Sequence, residues 1–345
     1  MLTLGFASSL KGVVDLTISS RYNFETSVDD SIQAQVAQLL DDWNFQPEVQ
    51  LFNIKPLEGG ANNVNLILST ESEHWVLKLR APDCELFGTD PVSSIQAQMD
   101  ASHLGIAPRL LATHETEHHF ISEFLHGETL RPDTARANNL HSEVVAALKI
   151  LHGGKSRCRN FSLFNDIRLF MKGVNDSGQR HPAGLDEMLA AAFSIEESLT
   201  SAPVPLGFCH NDLVPQNFIK TDSGLCLVDF DYAGITWFAV DLACATSQFE
   251  MTEEEIEACL KLYDRDLDDG QRSRLLALKF CNNLREASWA IMAEPLMSGE
   301  TTTFDDWSYE YHRDFNLEQA LSAYSDQYFK EVCSQASVVR QNALF

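Results

Sequence analysis

The 345 residues of this chain, 44% of them hydrophobic and 10% aromatic, can form two lobes around a substantial core, which excludes a peptide-sized module and a disordered protein. Its 50 acidic side chains outnumber 25 basic ones, for a formal net charge of -25, and a surface of that sign repels phosphate backbones and anionic membranes. We therefore expect neither a nucleic-acid partner nor stable insertion into a membrane.

The spacing of the cysteines and the composition of the first residues indicate the cellular compartment. The eight cysteines are scattered, form no CxxC pair and mostly have apolar neighbours, whereas disulfide frameworks and zinc sites need closer, patterned spacing. The opening MLTLGFASSLKG lacks a basic start and a long apolar region, and no segment approaches about 18 uninterrupted apolar residues. We expect a cytoplasmic protein with reduced core cysteines.

The first third of the chain alternates between helical and strand patterns. Between residues 30 and 43, apolar residues recur at helical spacing behind Asp30 and Ser31, two candidate caps, which predicts an amphipathic helix. Short apolar runs broken by turn residues predict strands of an antiparallel sheet: VQLFNIKPL, VNLILST, HWVLKLR, RLLATHE and HHFISEFL. Between the third and fourth runs, the segment DPVSSIQAQMDASHLGIAP predicts a helix.

Long helical patterns dominate after Gly127. They include HSEVVAALKILH, GLDEMLAAAFSIEESL and residues 271–294, and Thr252 with Glu255 has the signature of a capping box. We therefore predict an α+β fold with two lobes. Residues 1–123 would form a small antiparallel-sheet lobe with a helical extension at its N-terminus, and residues 124–345 a larger, mostly helical lobe.

The segment FCHNDLVPQNFI carries the clearest chemical signal. His210, Asp212 and Asn217 have the H-x-D-x-x-x-x-N spacing of a kinase catalytic loop. Phosphoryl transfer to a hydroxyl needs a carboxylate that positions the nucleophile and accepts its proton, a role that suits Asp212. The run LCLVDF ends on Asp229, and the turn KTDSG lets Asp229 converge with Asn217 on Mg²⁺, which prefers hard oxygen ligands. The alternative is that these residues only cap a turn around a core histidine.

Three segments of the first lobe are candidate contacts for ATP. The segment PLEGGANNVN lies between two predicted strands, and Gly59 and Gly60 would let its backbone approach phosphates closely. Lys78 lies on the third predicted strand, where a kinase lysine pairs with nucleotide phosphates, although strand alternation also permits a surface lysine. The connection SEFL, with Glu123 and Leu125, would present backbone groups to adenine.

Together, FCHNDLVPQNFI and LVDFDYAGITWFAVDLA resemble the choline/ethanolamine kinase branch of the aminoglycoside phosphotransferase superfamily. The resemblance implies a bilobal, protein-kinase-like fold and a kinase that uses ATP and Mg²⁺. By similarity, Asp212 would be the base, Asn217 and Asp229 the magnesium ligands, and Asp241 a structural buttress of the catalytic loop.

The glycine-containing segment also resembles this family. EGGANNVN is similar to the family's GG-x-T/S-N phosphate loop, with Asn62 where Thr or Ser is usual and Asn63 after it. The resemblance therefore adds Asn62 and Asn63 to the candidate nucleotide contacts.

Near the end of the chain, REASWAIMAE and FDDWSYEYHRDF resemble the choline kinase pattern of a Trp-bearing helix, an FD-containing turn and a Tyr-bearing helix. A quaternary ammonium is held by aromatic faces and a nearby carboxylate. Tyr232, Trp289 and Tyr309 are the candidate faces, and Asp231 and Glu286 the candidate charges. The alternative is an ordinary structural role for each of these side chains.

Three positions depart from the family pattern. The helix between the third and fourth strands offers Gln96 and Gln98, where a Glu would pair with Lys78. Gln248 stands where choline kinases usually carry a Glu at the choline pocket, and Glu286 where some have a second Trp. These departures leave open a different amine or amino alcohol as substrate.

The sequence therefore predicts a magnesium-dependent kinase that phosphorylates a hydroxyl of a choline- or ethanolamine-like amino alcohol. One alternative is a phosphotransferase for an aminoglycoside or another small alcohol. Another, of a different class, is a catalytically silent kinase-like protein that binds nucleotide or partners. The retention of Asp212, Asn217, Asp229 and Lys78 favours an enzyme.

Overall fold

Strands predominate early in the chain and helices later, as expected for the predicted α+β class, which is confirmed. The computed structural model describes residues 21–43, 45, 52–57, 63–200, 206–265, 269–296, 308–326 and 329. Its strands are β1 (Tyr22–Phe24), β2 (Phe52–Pro56), β3 (Val64–Ser69), β4 (His74–Leu79), β5 (Leu110–Thr113), β6 (Phe120–Glu123), β7 (Glu128–Thr129), β8 (Leu206–Cys209), β9 (Phe218–Thr221), β10 (Gly224–Leu227) and β11 (Gly234–Trp237). Its helices are α1 (Asp30–Asp42), α2 (Pro91–His103), α3 (Pro132–Ala137), α4 (His141–Gly153), α5 (Leu163–Asp176), α6 (Leu185–Thr200), α7 (Phe238–Gln248), α8 (Glu253–Tyr263), α9 (Asp269–Leu296) and α10 (Tyr309–Ser325).

The described residues fall into two compact units, each discontinuous in sequence. The first unit contains the described residues up to Pro82 together with Arg109–Phe124. The second contains Asp83–Pro108, Leu125–Pro295 and the described residues from Ser308 onward. Helix α2 therefore belongs to the second unit, although it lies between strands of the first unit in the sequence.

The first unit is built on a mixed sheet in which the described strands have the order β1-β2-β3-β4-β6-β5. Neighbouring strands are antiparallel except for β1 and β2, which are parallel. Alternate residues of the strands point to one face, because successive side chains of a strand lie on opposite sides. Together with one stripe of α1 they form the core: Val36, Leu39, Leu40, Phe52, Ile54, Leu66, Leu68, Trp75 and Leu77.

The N-cap of helix α1 lies one residue before the two predicted caps. The carboxylate of Asp29, rather than Asp30 or Ser31, is the N-cap and accepts a hydrogen bond from the Ser31 amide at 2.8 Å. Asp29 satisfies one of the amides that have no partner within the first turn of a helix. The predicted helix is confirmed, and the cap is shifted because Asp, Asp and Ser at residues 29 to 31 are all good capping residues.

The second unit combines helices with two short sheets. Strands β8 and β11 pair antiparallel, and a second sheet has the order β10-β9-β7 among the described residues. The predicted turn joins β9 to β10, with Thr221 opposite Gly224, and Gly224 has a φ of 131°, which favours glycine. The predicted capping box is also present, since Thr252 and Glu255 each bind the other's amide.

Two expectations about the whole chain can be compared with the structure. Cys158, Cys209, Cys226, Cys244 and Cys259 are buried and form no disulfide. Among the helices that the structure describes, none combines the length and the apolar character needed to cross a bilayer.

Candidate active site

The candidate catalytic loop links the two short sheets of the second unit. It leaves β8 at His210 and reaches β9 through a 3-10 turn at Pro215–Asn217. Asn211 has a φ of 65°, a left-handed conformation that Asn adopts more readily than most residues other than glycine. The sharp change of direction at Asn211 turns the chain directly before Asp212.

Asp241, in the first turns of α7, holds the backbone of this loop. Its carboxylate is fully buried and accepts hydrogen bonds from the amides of His210 at 2.8 Å and Asn211 at 2.7 Å. The Nε2 atom of His152, on α4, lies 3.0 Å from the same carboxylate. Asp241 thus makes the contacts that a buttress of the catalytic loop requires, and it fixes the two residues that precede Asp212.

Asp212 and Asn217 are brought together by the loop. The side-chain nitrogen of Asn217 donates to the backbone oxygen of Asp212 at 2.8 Å and to its carboxylate at 3.1 Å. Burial raises the pKa of the Asp212 carboxyl to about 8, and the negative charges of Glu286 and Asp229 add to the rise. A carboxylate with a raised pKa is a stronger proton acceptor once it is ionised, and a cation bound beside it would favour that ionised form.

The residues at the end of the hairpin fit a magnesium ion. The Asn217 nitrogen is used by Asp212, so its amide oxygen remains for another partner. The Val228 amide donates to the Asn217 backbone oxygen at 3.0 Å, and Asp229 follows with a φ of 63°. The hairpin therefore holds a carboxylate and an amide oxygen, both hard ligands of the kind Mg²⁺ prefers, on two segments joined by a hydrogen bond.

Arg285 on α9 links the loop to two carboxylates, and sequence reasoning missed it. Its Nε donates to Asp166 of α5 at 2.9 Å, and its Nη1 donates to the Asn211 backbone oxygen at 3.2 Å and to Glu286 at 2.5 Å. Arg285 is only 2% exposed. One guanidinium thus faces two carboxylates, which leaves an excess of one negative charge when both carboxyls are ionised. Charged residues inside a largely apolar helical pattern were the signal that could have revealed it.

Two residues predicted to contact the substrate, Asp231 and Tyr232, also have contacts within the protein. The guanidinium carbon of Arg285 lies 4.3 Å from the ring centroid of Tyr232, whose hydroxyl donates to the Phe87 backbone oxygen at 2.7 Å. The Asp231 carboxylate is buried and accepts a hydrogen bond from the Ser94 hydroxyl at 2.9 Å. These contacts hold Asp231 and Tyr232 in place, and both remain candidate substrate contacts.

The other three predicted substrate residues cluster on α9 and α10, together with His312. Trp289 lies 5.6 Å from Tyr309 and 5.9 Å from His312 between ring centroids. His312 Nε2 lies 3.1 Å from Glu286. Burial alone would raise the pKa of Glu286, but Arg285 and His312 overcome that effect and lower it, so the carboxylate is ionised at neutral pH.

The glutamines that depart from the family pattern have hydrogen-bond partners in the second unit. Gln248 donates to Asn316 at 3.0 Å, and Asn316 in turn donates to the His312 backbone oxygen at 2.8 Å. On α2, Gln96 donates to Asp100 at 3.0 Å, one helical turn away. Gln98 donates to the Pro108 backbone oxygen at 3.3 Å. Gln248 thus ties α7 to α10, beside the cluster that contains Glu286.

The candidate nucleotide contacts lie mostly in the first unit. Lys78 is buried on β4, opposite Phe120 of β6, and the Asn63 side chain accepts from the Ala81 amide at 3.1 Å. Glu123 ends β6 in an ion pair with Arg109, with N–O distances of 2.7 and 3.0 Å. Leu125 is half-buried in the second unit. Three candidates, together with the FD-containing turn, lie outside the described residues: Gly59, Gly60 and Asn62.

Comparisons with known proteins add independent findings. The model of the family described as choline/ethanolamine kinase matches residues 51–272. Protein LicA of Haemophilus influenzae is 24% identical over 248 residues, which cover 68% of this chain and 72% of LicA. A choline/ethanolamine kinase family protein from Mesorhizobium loti superposes with a TM-score of 0.69 at 18% identity, over 83% of this chain and 92% of that chain. The choline kinase LicA from Streptococcus pneumoniae gives a TM-score of 0.68 at 20% identity, over 84% of this chain and 99% of that chain.

Proposed function

The chain belongs to the choline/ethanolamine kinase family, and from this premise we propose that it transfers the γ-phosphoryl group of ATP to the hydroxyl of a cationic amino alcohol. Membership of the family makes it a phosphotransferase that acts on an alcohol group of an amino alcohol, with the kinase-like fold of its structural neighbours. The residue roles, the use of Mg²⁺ and the positive charge of the substrate are the proposed parts.

Asp212 is assigned the role of general base. It would accept a hydrogen bond from the substrate hydroxyl, orient its oxygen and receive its proton as the bond to phosphorus forms. The raised pKa supports this assignment, because the ionised carboxylate is then a stronger proton acceptor than one of ordinary acidity. Asn217 supports it by holding the Asp212 carboxylate through its side-chain nitrogen.

Asn217 and Asp229 are assigned as the magnesium ligands. Bound there, the ion would neutralise the charge that develops on the phosphates during transfer. In the first unit, Lys78 and the glycine-containing segment are assigned to the phosphates of ATP, and Asn62 and Asn63 belong to that segment. Glu123 and Leu125 are assigned to the adenine by their backbone groups.

The observation that carries the proposal is the electrostatic link between the base and the cluster on α9. Glu286 is buried, and Arg285 Nη1 donates both to Glu286 and to the backbone oxygen of Asn211, the residue before Asp212. A substrate with its hydroxyl at Asp212 therefore has a fixed negative charge within reach of its other end. Trp289 and Tyr309 add aromatic faces beside that charge, which suits a small organic cation.

The test is a comparison of alcohols as phosphoryl acceptors. We expect the protein to consume ATP with ethanolamine or choline as acceptor. Transfer to these cations should be at least about tenfold more efficient than transfer to an uncharged alcohol of the same shape, because a desolvated cation–π contact is worth about 2 kcal/mol. 3,3-Dimethylbutanol supplies the uncharged shape of choline. An aminoglycoside as a better acceptor than both amino alcohols, or no preference for the cation, would contradict the proposal.

A further inference from the structure

We infer that His312 is a specificity-determining residue: by holding the Glu286 carboxylate it makes the pocket select amino alcohols whose nitrogen carries at least one hydrogen over those with a quaternary nitrogen. The inference rests on the proposed function, because it concerns the same acceptor site. His312 lies within the segment FDDWSYEYHRDF, but the sequence analysis assigned it no role.

Four side chains in mutual contact form the corner of the proposed pocket, two from each helix. Glu286 and Trp289 are three residues apart on α9, and Tyr309 and His312 are three residues apart on α10, so each pair lies on one face of its helix. Across the helices, His312 contacts both members of the α9 pair: Glu286 through Nε2 at 3.1 Å, and Trp289 edge-on at 5.9 Å. His312 is therefore the residue that joins the charged side of the corner to its aromatic side.

The hydrogen bond between His312 and Glu286 has a defined direction. An ionised carboxylate only accepts hydrogen bonds, and the lowered pKa of Glu286 keeps it ionised, so Nε2 of His312 is the donor. Arg285 donates to the other carboxylate oxygen. The two donors hold the carboxylate at both oxygens, and this fixes the direction of its remaining acceptor positions.

The remaining acceptor positions of the Glu286 carboxylate determine which kind of substrate nitrogen can bind. A carboxylate has about four acceptor sites, and each of the two donors occupies one of them. Glu286 is only 5% exposed, so water has little access to the others, and a buried acceptor without a partner is costly. An ammonium N–H can fill such a site with a charge-assisted hydrogen bond, whereas four carbon substituents on a quaternary nitrogen cannot.

The aromatic side chains of the proposed pocket do not fully replace the hydrogen bond that a quaternary ammonium cannot make to Glu286. Trp289 and Tyr309 are neighbours with an angle of 35° between ring planes, so they form one wall rather than two opposed faces. The ring of Tyr232 is covered on one face by Arg285. A methyl-rich cation would therefore gain one aromatic wall and leave the Glu286 acceptor unfilled, and this pocket discriminates against it.

The experiment measures kcat and KM for ethanolamine, N-methylethanolamine, N,N-dimethylethanolamine and choline. Because a hydrogen bond to a charged group is worth a factor of about 10 to 100 in binding, we expect kcat/KM to fall by about that factor between the dimethyl compound and choline, mainly through KM. That step removes the last N–H, so a gradual decline with each added methyl group would point to size instead and would overturn the inference.

Variants assign the effect to His312. His312→Phe keeps an aromatic edge for Trp289 but cannot donate, and we expect it to reduce the dimethyl-to-choline ratio to about threefold or less. His312→Gln keeps a donor and is expected to retain the ratio, and it remains informative if the Phe variant fails to fold. Tyr311→Phe, at an exposed neighbouring position on α10, is the matched control.

The outcomes separate the inference from the proposed function. An unchanged ratio in His312→Phe, or a wild-type protein that uses choline as well as the dimethyl compound, would overturn the inference while leaving the kinase assignment intact. A wild-type protein that phosphorylates none of the four amino alcohols would overturn both.

Discussion

Asp212 interacts with both parts of the proposed site. Its carboxylate accepts a hydrogen bond from Asn217, a candidate magnesium ligand, and it feels the negative charge of Glu286, the candidate substrate carboxylate. Asn217 donates to the Asp212 carboxylate at 3.1 Å, and Glu286 raises its pKa. The charge of a bound metal ion would act in the opposite direction and favour the ionised, proton-accepting form.

Replacing Asp212 by Asn tests its role as the base. The substitution is nearly isosteric and removes the proton acceptor, so we expect kcat to fall by about 10²- to 10⁴-fold, the usual contribution of a general base. Nucleotide affinity should change little, which an ATP titration followed by fluorescence or calorimetry would measure. A variant that loses ATP affinity and keeps its turnover would identify Asp212 as a nucleotide-site or structural residue.

For individual residues, the sequence indicated local arrangements along the chain, but it did not indicate contacts between residues on different helices. The spacing from His210 to Asn217 is local, so a known pattern was enough to place Asp212 and Asn217 on one loop, where the structure shows that they contact each other. Arg285 meets Asp166 across 119 positions of sequence and Glu286 meets His312 across 26. Such contacts depend on how helices pack, which periodicity alone does not specify.

Helix α7 is the element that holds the catalytic loop in place. Asp241 enters the loop from the first turns of the helix, where a negative charge is favourable, and accepts hydrogen bonds from two successive amides. The loop carries Asn211 in a left-handed conformation, and such a conformation persists when its surroundings hold it.

Replacing Asp241 by Asn tests this support. The variant keeps one acceptor oxygen but places an amide nitrogen against a backbone donor, so we expect a loss of about 2 kcal/mol in the free energy of unfolding, together with reduced turnover. Urea unfolding followed by circular dichroism would measure the first effect. Asp222→Asn, in the exposed turn between β9 and β10, is the control and should unfold like the wild type. Equal stability of the two variants would show that Asp241 does not support the loop.

The structure contains the predicted strands and helices wherever the sequence has an apolar pattern long enough to show its period. Strands β2 to β6 follow apolar runs bounded by turn residues, and α2 and α9 follow helical periods. Strand β1 was missed because Tyr22–Phe24 is too short to show alternation, and its parallel pairing with β2 spans a helix in the sequence. Residues 83–108 were grouped with the strands that flank them, because sequence order does not reveal which compact unit a helix joins.

Across the whole molecule, the family match and the proposed substrate cluster cover different parts of the chain. The matched residues, 51–272, include the catalytic loop, the hairpin that ends at Asp229, and Asp241. Arg285, Glu286, Trp289, Tyr309 and His312 all follow the matched range. The proposed transfer machinery therefore lies in the shared part of the chain, and the proposed selectivity for the amine lies beyond it.

The most direct test of the account compares the wild type with Asp229→Ala in a phosphoryl-transfer assay, with ethanolamine and choline as acceptors at matched magnesium concentrations. Asp229 is assigned to the metal and is partly exposed at the end of the hairpin, so its loss should leave the fold intact, which thermal unfolding would check. The account predicts magnesium-dependent transfer to the hydroxyl of an amino alcohol by the wild type and by the surface control Asp222→Ala, and no measurable transfer by Asp229→Ala. Near-normal turnover of a folded Asp229→Ala variant would contradict it.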